Sequence, residues 1–221
     1  MQNKVLIKEI FESVQGEGLY VGVNQLFIRF SKCNLNCKYC DTDFKNDLKE
    51  YTEEELIKTV NEYKNIHSIS LTGGEPLMEA EFLTGFLPFV KHKIYLETNG
   101  ILYEQLKQII KYVDIISMDI KLPSSTKGKD LFGSHEKFIK TAKEKELFIK
   151  IVFDENITEI EINQCCKLAE KYSVEIILQP KMNGEKLELE TDFINKTFYK
   201  FVNMYPKTRL IPQMHKFLNI Q

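Results

Sequence analysis

Three cysteines in one short segment are the residues of this chain best suited to chemistry. Cys33, Cys37 and Cys40 lie in the stretch FSKCNLNCKYCD with C-x3-C-x2-C spacing, and no fourth cysteine or histidine follows at a short ligand-like spacing. Structural zinc and iron–sulfur sites are normally closed by four protein ligands. Three converging thiolates therefore indicate a [4Fe–4S] cluster with one iron open to a small molecule.

A zinc site that takes a fourth ligand from elsewhere is the alternative for this triplet. The available imidazoles are those of His67, His92, His135 and His215. The other two cysteines, Cys165 and Cys166, are adjacent in a segment of helical period, so their side chains point about 100° apart and cannot share one ion. Burial as small apolar residues is the more typical role for such cysteines.

The composition favours one soluble domain. The chain has 221 residues and a formal charge of −2, which gives no general attraction to nucleic acid. The first eleven residues include Lys4, Lys8 and Glu9 and so contain no signal-peptide core, and no run of 18 apolar residues occurs. We therefore expect a cytoplasmic protein with a small-molecule substrate and with neither a membrane nor a nucleic acid as partner.

Short β-rich runs alternate with helical patterns from residue 25 onward. The predicted strands are Leu26–Phe30, Ser68–Thr72, Ile94–Glu97, Ile115–Asp119, Phe148–Phe153 and Glu175–Gln179. The predicted helices lie near 53–64, 79–91, 101–112, 135–146, 157–172 and 191–205. Such alternation predicts parallel strands joined by right-handed crossovers.

Six such units are too few for a closed eight-stranded barrel. The predicted fold class is thus α/β, an open partial (β/α)6 barrel. We expect a single domain over 1–221, with an N-terminal extension at 1–24, a barrel core at 25–205 and a C-terminal tail at 206–221. The stretch 123–128 is the one segment whose composition favours a flexible loop.

The unusual motifs all follow predicted strands. The cysteine triplet follows the first strand, Thr72-Gly73-Gly74-Glu75-Pro76 the second, and Glu97-Thr98-Asn99-Gly100 the third. Asp119 and Lys121 follow the fourth strand, and Gln179-Pro180 the sixth. Because chemistry in such barrels gathers at the carboxyl ends of the strands, one rim is predicted to carry the whole site.

The cysteine spacing, followed by a Gly-Gly-Glu motif, resembles that of radical S-adenosylmethionine (SAM) enzymes. The resemblance implies that SAM chelates the open iron, that Gly74 and Glu75 hold its amino group, and that Tyr39 lies near its adenine. From the residues alone, the glycine motif is equally an ordinary βα turn and Tyr39 a core aromatic. The oxygens of Cys40-Asp41-Thr42-Asp43 suit Mg²⁺, although an Asx-turn explains them as well.

The two ends of the chain narrow the resemblance. EIFESVQGEG precedes the barrel and PQMHKFLNIQ closes the chain. Together with the other motifs they resemble the 7-carboxy-7-deazaguanine synthase family of queuosine and deazapurine biosynthesis. This resemblance implies a homodimeric lyase that converts 6-carboxy-5,6,7,8-tetrahydropterin into 7-carboxy-7-deazaguanine with loss of ammonia. Its cofactors would be a [4Fe–4S] cluster, SAM and Mg²⁺, and its electron donor flavodoxin or ferredoxin.

The resemblance also implies roles for individual residues. Cys33, Cys37 and Cys40 match cluster ligands, and Thr42 matches a Mg²⁺ ligand. The positions implied to contact SAM are Tyr39, Gly74, Glu75, Asp119, Ile120, Lys121, Gln179, Pro180, Lys181 and Met182. The positions implied to contact substrate are Val14, Gln15, Gly16, Arg29, Thr72, His215 and Gln221. Where some relatives read Ser-Pro-Lys-Pro, this chain reads Asp119-Ile120-Lys121-Leu122, so only the lysine is retained.

Two other functions compete with this interpretation. A glycyl-radical-enzyme activating enzyme shares the triplet spacing, although the two chain ends argue against it. A zinc-stabilised binding module without turnover is the non-enzymatic alternative.

Overall fold

A nine-stranded sheet forms the centre of the protein in a computed structural model that describes residues 3–37, 46–126 and 130–221. The strands of this sheet are β1 (Lys4–Val14), β2 (Asn24–Phe30), β3 (Lys49–Thr52), β4 (Ser68–Gly73), β5 (Ile94–Thr98), β6 (Ile115–Asp119), β7 (Glu146–Phe153), β8 (Glu175–Pro180) and β11 (Thr208–Leu210). Two further strands, β9 (Met182–Asn183) and β10 (Lys186–Leu187), form a separate antiparallel pair. The helices are α1 (Glu53–Asn61), α2 (Ala80–Phe86), α3 (Tyr103–Ile109), α4 (Pro123–Thr126), α5 (Phe132–Ala142), α6 (Glu159–Tyr172), α7 (Thr191–Met204) and α8 (Met214–Leu218).

The sheet is mostly parallel, as the alternating sequence pattern predicts. Its strand order is β11-β8-β7-β6-β5-β4-β2-β1-β3, and every pair from β11 to β2 is parallel. All six predicted strands and their crossover helices are confirmed. The sheet extends into both predicted extensions, because β1 pairs antiparallel with β2 and β3 on one side and β11 pairs with β8 on the other.

The residues at the helix starts explain where three of the helices begin. Thr52 and Thr158 both form complete capping boxes, at the starts of α1 and α6. Residues 123–126 of the segment predicted as a flexible loop instead form the short helix α4, and residues 127 and 128 lie outside the described residues. Helix α4 begins with a proline, whose missing N–H costs nothing at a first helical position.

Aliphatic and aromatic side chains fill the space between the sheet and its helices. Cys165 and Cys166 lie in this core on α6, which confirms their predicted role as buried small apolar residues. A second, smaller cluster of Tyr95, Ile115, Phe148 and Ile177 packs against Leu19 and Tyr20 of the N-terminal segment. Gly18 (φ +70°) permits this approach, since a Cβ there would lie 2.6 Å from the Phe148 ring.

No helix in the described part of the chain is long and apolar enough to span a membrane.

Candidate active site

A cavity of about 870 Å³ opens at the carboxyl ends of the parallel strands, on the rim that the sequence motifs predict. Residues from the β2 loop, from the ends of β4 to β8, from the N-terminal segment and from the C-terminal tail line it. The predicted site residues that line it are Val14, Gln15, Gly16, Arg29, Cys33, Cys37, Thr72, Gly74, Asp119, Lys121, Gln179, Lys181, Met182, His215 and Gln221. The fold thus brings together residues from both ends of the chain.

The glycine motif after β4 packs directly on the cysteine loop after β2. The Gly74 N–H donates to the Phe30 carbonyl at 3.0 Å, and the Glu75 N–H donates to the Lys32 carbonyl at 2.7 Å. A Cβ added to Gly74 would overlap the Lys32 carbonyl and lie 3.0 Å from the Cβ of Cys33. Only glycine therefore allows the two loops to meet this closely.

Glu75 supports the rim from inside the protein and does not line the cavity. Its fully buried carboxylate accepts hydrogen bonds from the Leu77 N–H, the Thr98 hydroxyl and the Asn99 N–H at 3.2, 2.9 and 2.7 Å. Burial raises the pKa of Glu75 to about 7, against the lowering effect of these hydrogen bonds. The carboxylate fixes the loop after β5, and its contact with an ammonium group stays a prediction.

Asn99 connects that loop to the cysteine segment. Its side-chain amide donates to the Asn34 side chain at 2.7 Å, between Cys33 and Cys37. On the other side, Nε2 of the buried His135 donates to the Asn99 carbonyl at 3.2 Å. Burial lowers the pKa of His135 to about 4, so the ring is neutral near pH 7.

The N-terminal segment supplies amide and carboxylate groups to the cavity wall. The Gln15 side chain, 2% exposed, donates to both Gln25 and Glu97 at 2.9 Å. The other Glu97 oxygen accepts from the Thr72 hydroxyl at 3.1 Å. These fixed groups present a carboxylate and hydroxyl surface suited to a ligand rich in N–H donors.

Arg29 and the chain terminus meet at Glu9. Nε of Arg29 contacts one Glu9 oxygen at 2.7 Å, and the Gln221 side chain donates to the other at 2.5 Å. The Ser13 hydroxyl also donates to the Gln221 main chain at 2.5 Å. Strand β1 therefore holds the last residue at the edge of the cavity.

A buried charge cluster lies on the floor of the cavity. The ammonium group of Lys150, on β7, forms a short ion pair with Glu17 and lies 3.8 Å from Asp119 on β6. Asp119 also pairs with Lys121 at 2.8 Å, and Glu17 accepts a hydrogen bond from Gln213 of the tail at 2.6 Å. Glu17 thus connects the strand ends to the C-terminal tail.

The residues present fit the cofactors that the cysteine motif implies. Cys33 is exposed and Cys37 half-buried, so both can reach a cluster. Within the described residues, Oδ1 of Asp119 and Oε1 of Gln179 are buried in the cavity wall without a hydrogen-bond partner. Unpaired buried acceptors are costly, and the amino and hydroxyl groups of SAM are suitable donors to them.

The structure does not bring every predicted residue to the cavity. The side chain of Ile120, which directly follows β6, belongs to the apolar core. Its N–H still pairs with the Lys150 carbonyl, so the alternation of side chains along β6 continues and turns Ile120 away from the side of Asp119. Pro180 is buried at the end of β8 and does not line the cavity either. Tyr39, Cys40 and Thr42 lie outside the described residues.

Several cavity residues were not among the site residues that the sequence predicted, and four of them carry the contacts described above, namely Glu9, Glu17, Glu97 and Lys150. The first three lie within motifs that the sequence analysis singled out, so their neighbours gave a signal. Lys150 lies inside a strand with no motif around it. Only the polar residue in the otherwise apolar run FIKIVF marks it.

Comparison with known proteins gives the class first. Residues 27–169 match the radical SAM superfamily model, so the chain belongs to that superfamily. The 7-carboxy-7-deazaguanine synthases of Geobacter sulfurreducens and Archaeoglobus fulgidus are each 34% identical to it, over 96% of the chain and 96% and 97% of their own lengths. The chain therefore belongs to the family of 7-carboxy-7-deazaguanine synthases, as its motifs predicted. The crystal structure of QueE from Escherichia coli has the same fold, with a TM-score of 0.67 and 18% sequence identity. The match covers 96% of this chain and 95% of that chain.

Proposed function

We propose that this chain is a radical SAM lyase that converts 6-carboxy-5,6,7,8-tetrahydropterin into 7-carboxy-7-deazaguanine with loss of ammonia. The main observation in support is that three separate segments of the chain line one cavity. The cysteine loop, the QGEG segment at 15–18 and the C-terminal tail all contribute to its wall. Relatives similar over nearly their whole length are named for this product.

Cys33 and Cys37, with Cys40 as the third ligand, would hold the cluster, and Gly74, Asp119 and Gln179 would hold SAM. When bound, the cluster and SAM together supply one-electron cleavage of SAM to a 5′-deoxyadenosyl radical, which no side chain can perform. The orphan oxygens of Asp119 and Gln179 support this placement of SAM, because both need donors.

The chain's own residues would bind and orient the pterin. Glu97 and the Gln15 side chain offer acceptors to the amino and ring N–H groups, while Arg29 offers a guanidinium to the carboxylate. The Glu9 contact fixes the Arg29 side chain before substrate arrives. A pre-ordered site of this kind binds without first losing side-chain entropy.

Four further assignments, namely a metal ligand, an oligomeric state, a location and an electron donor, belong to the same proposal. Thr42 would contribute a hydroxyl to a Mg²⁺ that also takes substrate oxygens, since Mg²⁺ retains positions for non-protein ligands. The enzyme would work as a homodimer in the cytoplasm. A flavodoxin or ferredoxin would supply the electron, because cleavage of SAM requires a cluster potential at the low end of the known range.

The decisive experiment is anaerobic incubation of the reconstituted protein with SAM, dithionite and 6-carboxy-5,6,7,8-tetrahydropterin, followed by mass spectrometry. Formation of 7-carboxy-7-deazaguanine, absent when the pterin is omitted, is the expected result. A protein that holds the cluster and cleaves SAM but leaves the pterin unchanged would refute the substrate assignment.

A further inference from the structure

Lys150 is the most deeply buried charged group in the cavity wall, with 7% of its surface exposed. It pairs with Asp119 across the β6–β7 ladder, so the two side chains lie side by side on one face of the sheet. Its ammonium group forms its shortest contact with Glu17 from the N-terminal segment. Removing an ammonium group from water is costly unless fixed partners compensate it, so the burial of Lys150 depends on its contacts with Glu17 and Asp119.

Glu17 connects Lys150 to the substrate side of the cavity. One carboxylate oxygen contacts Lys150 and the other accepts from Gln213 of the tail, while the Glu17 N–H donates to the Gln15 side chain at 3.0 Å. Glu17 therefore joins Gln15, which is proposed to bind the pterin, to Gln213 of the C-terminal tail.

We propose that Lys150 is a positioning residue, which holds the Glu17 carboxylate ionised and directed at the pterin N–H groups. The assignment rests on the proposed function for the identity of the ligand, and on the geometry alone for the Lys150–Glu17 relationship. Asp119 loses less when Lys150 is removed, because it keeps Lys121 at 2.8 Å. Lys150 thus acts mainly on substrate and only weakly on SAM.

The charges around Glu17 give the inference a pH-dependent signature. Burial raises the pKa of Glu17, but Lys150, the Gln213 hydrogen bond and His215 of the tail together lower it to about 2. Lys150 in turn faces Asp119 on β6 and Glu97 on β5. Burial lowers the pKa of Lys150, but these two carboxylates and Glu17 outweigh burial and raise the pKa well above its usual value. Without Lys150, burial dominates and Glu17 is expected to take up a proton in the mildly acidic range.

The test measures binding of 6-carboxy-5,6,7,8-tetrahydropterin by anaerobic calorimetry to the full chain with oxidised cluster and SAM and no reductant. At pH 6, K150M is expected to bind the pterin at least about tenfold more weakly than wild type, because it loses one charge-assisted hydrogen bond. This difference in affinity should shrink toward pH 8.5, where Glu17 is ionised in both proteins. K150R keeps the charge and should recover most of the affinity. SAM affinity should change less than about threefold, which is under 1 kcal/mol.

Two further variants separate positioning from general damage. E17Q and E17Q/K150M should bind the pterin with equal affinity, since Lys150 acts through Glu17. The double variant also covers the case in which K150M alone folds poorly, because it leaves no buried Glu17 carboxylate without its ammonium partner. K171M removes an exposed ion pair with Glu136 between helices α5 and α6 and should behave as wild type. Equal pterin affinity for K150M and wild type at every pH, or a K150R as weak as K150M, would overturn the inference.

A ligand-free readout keeps the inference independent of the substrate assignment. In protein with ¹³C-labelled glutamate carboxylates, the signal missing from E17Q should stay ionised between pH 4 and 8 in wild type and should titrate in K150M. If wild-type protein fails to bind the pterin, the proposed function is wrong, and this titration still decides whether Lys150 controls the charge of Glu17.

Discussion

Gly16 and His215, from opposite ends of the chain, are in direct contact beside the cavity. A Cβ added to Gly16 would overlap Nδ1 of His215 and lie 2.6 Å from its Cβ, and the Met214 N–H donates to the Gly16 carbonyl at 2.9 Å. The C-terminal tail therefore docks only against a residue without a side chain.

This contact predicts the effect of Gly16→Ala. The added methyl group should displace the tail and weaken pterin binding by at least about tenfold, since it removes contacts worth about 1.4 kcal/mol or more, while the cluster spectrum stays unchanged. Gly133→Ala on α5 is the matched control, because no atom lies within 4 Å of its added Cβ. Unaltered pterin binding by Gly16→Ala would mean that the tail does not depend on this contact.

Removal of Ile220 and Gln221 should raise the apparent KM for the pterin without affecting SAM binding. The Gln221 side chain donates to Glu9 and its carbonyl accepts from Ser13, so the deletion removes the contacts that hold the tail at the cavity. A hydrogen bond to a charged group is worth about 1.5–3 kcal/mol, or about 10- to 150-fold in affinity. Steady-state kinetics on the full and shortened chains measure this. Identical constants would remove Gln221 from the site.

Replacement of Cys33, Cys37 or Cys40 by alanine should abolish cluster assembly and turnover, because each would supply one of only three thiolates. Cys165→Ala and Cys166→Ala serve as controls, since both thiols lie in the core on α6 and loss of either costs only packing. Iron content and absorption after anaerobic reconstitution check all five variants. Loss of the cluster in either α6 variant would contradict the assignment.

Turnover should rise with Mg²⁺, and Thr42→Ala should remove most of that response while SAM still binds. A hydroxyl alone is a weak ligand for Mg²⁺ and matters only when substrate oxygens complete the coordination shell. Titration of turnover with Mg²⁺ in wild type and variant checks this. A variant that responds like wild type would leave Thr42 as a turn residue.

His135 should make the protein less stable as the pH falls. Its folded pKa of about 4 lies below the ordinary value of 6.5, so the unfolded state binds a proton that the folded state refuses. Stability contributed by the neutral ring is complete above pH 6.5 and is lost as pH falls toward 4, by about 2 kcal/mol at pH 5. Denaturant unfolding of wild type and His135→Gln at pH 7 and 5 measures it, and the variant should lack this component of the slope. Parallel losses in both proteins would assign the pH dependence to other groups.

The sequence alone determined the architecture and the chemical class. Strand and helix positions followed from local periodicity and from caps such as Thr52 and Thr158, which depend on neighbours only a few residues away. The cysteine spacing and the Gly73-Gly74-Glu75 motif predicted the cofactor chemistry, because ligand spacing within one loop is also a local property. The rule that chemistry gathers at the carboxyl ends of parallel strands then placed the motifs on one rim.

The tertiary structure alone decided how distant residues act together. Lys150 is one polar residue in an apolar strand, and nothing near it in sequence shows that Glu17 lies against it. Glu75 matched a binding motif, yet the fold uses its carboxylate to hold the loop at Thr98 and Asn99. Ile120 follows Asp119 directly but faces the core, because the alternation of side chains along β6 continues one residue past its end. Long-range pairing and side-chain direction depend on how the strands assemble, and local sequence does not encode them.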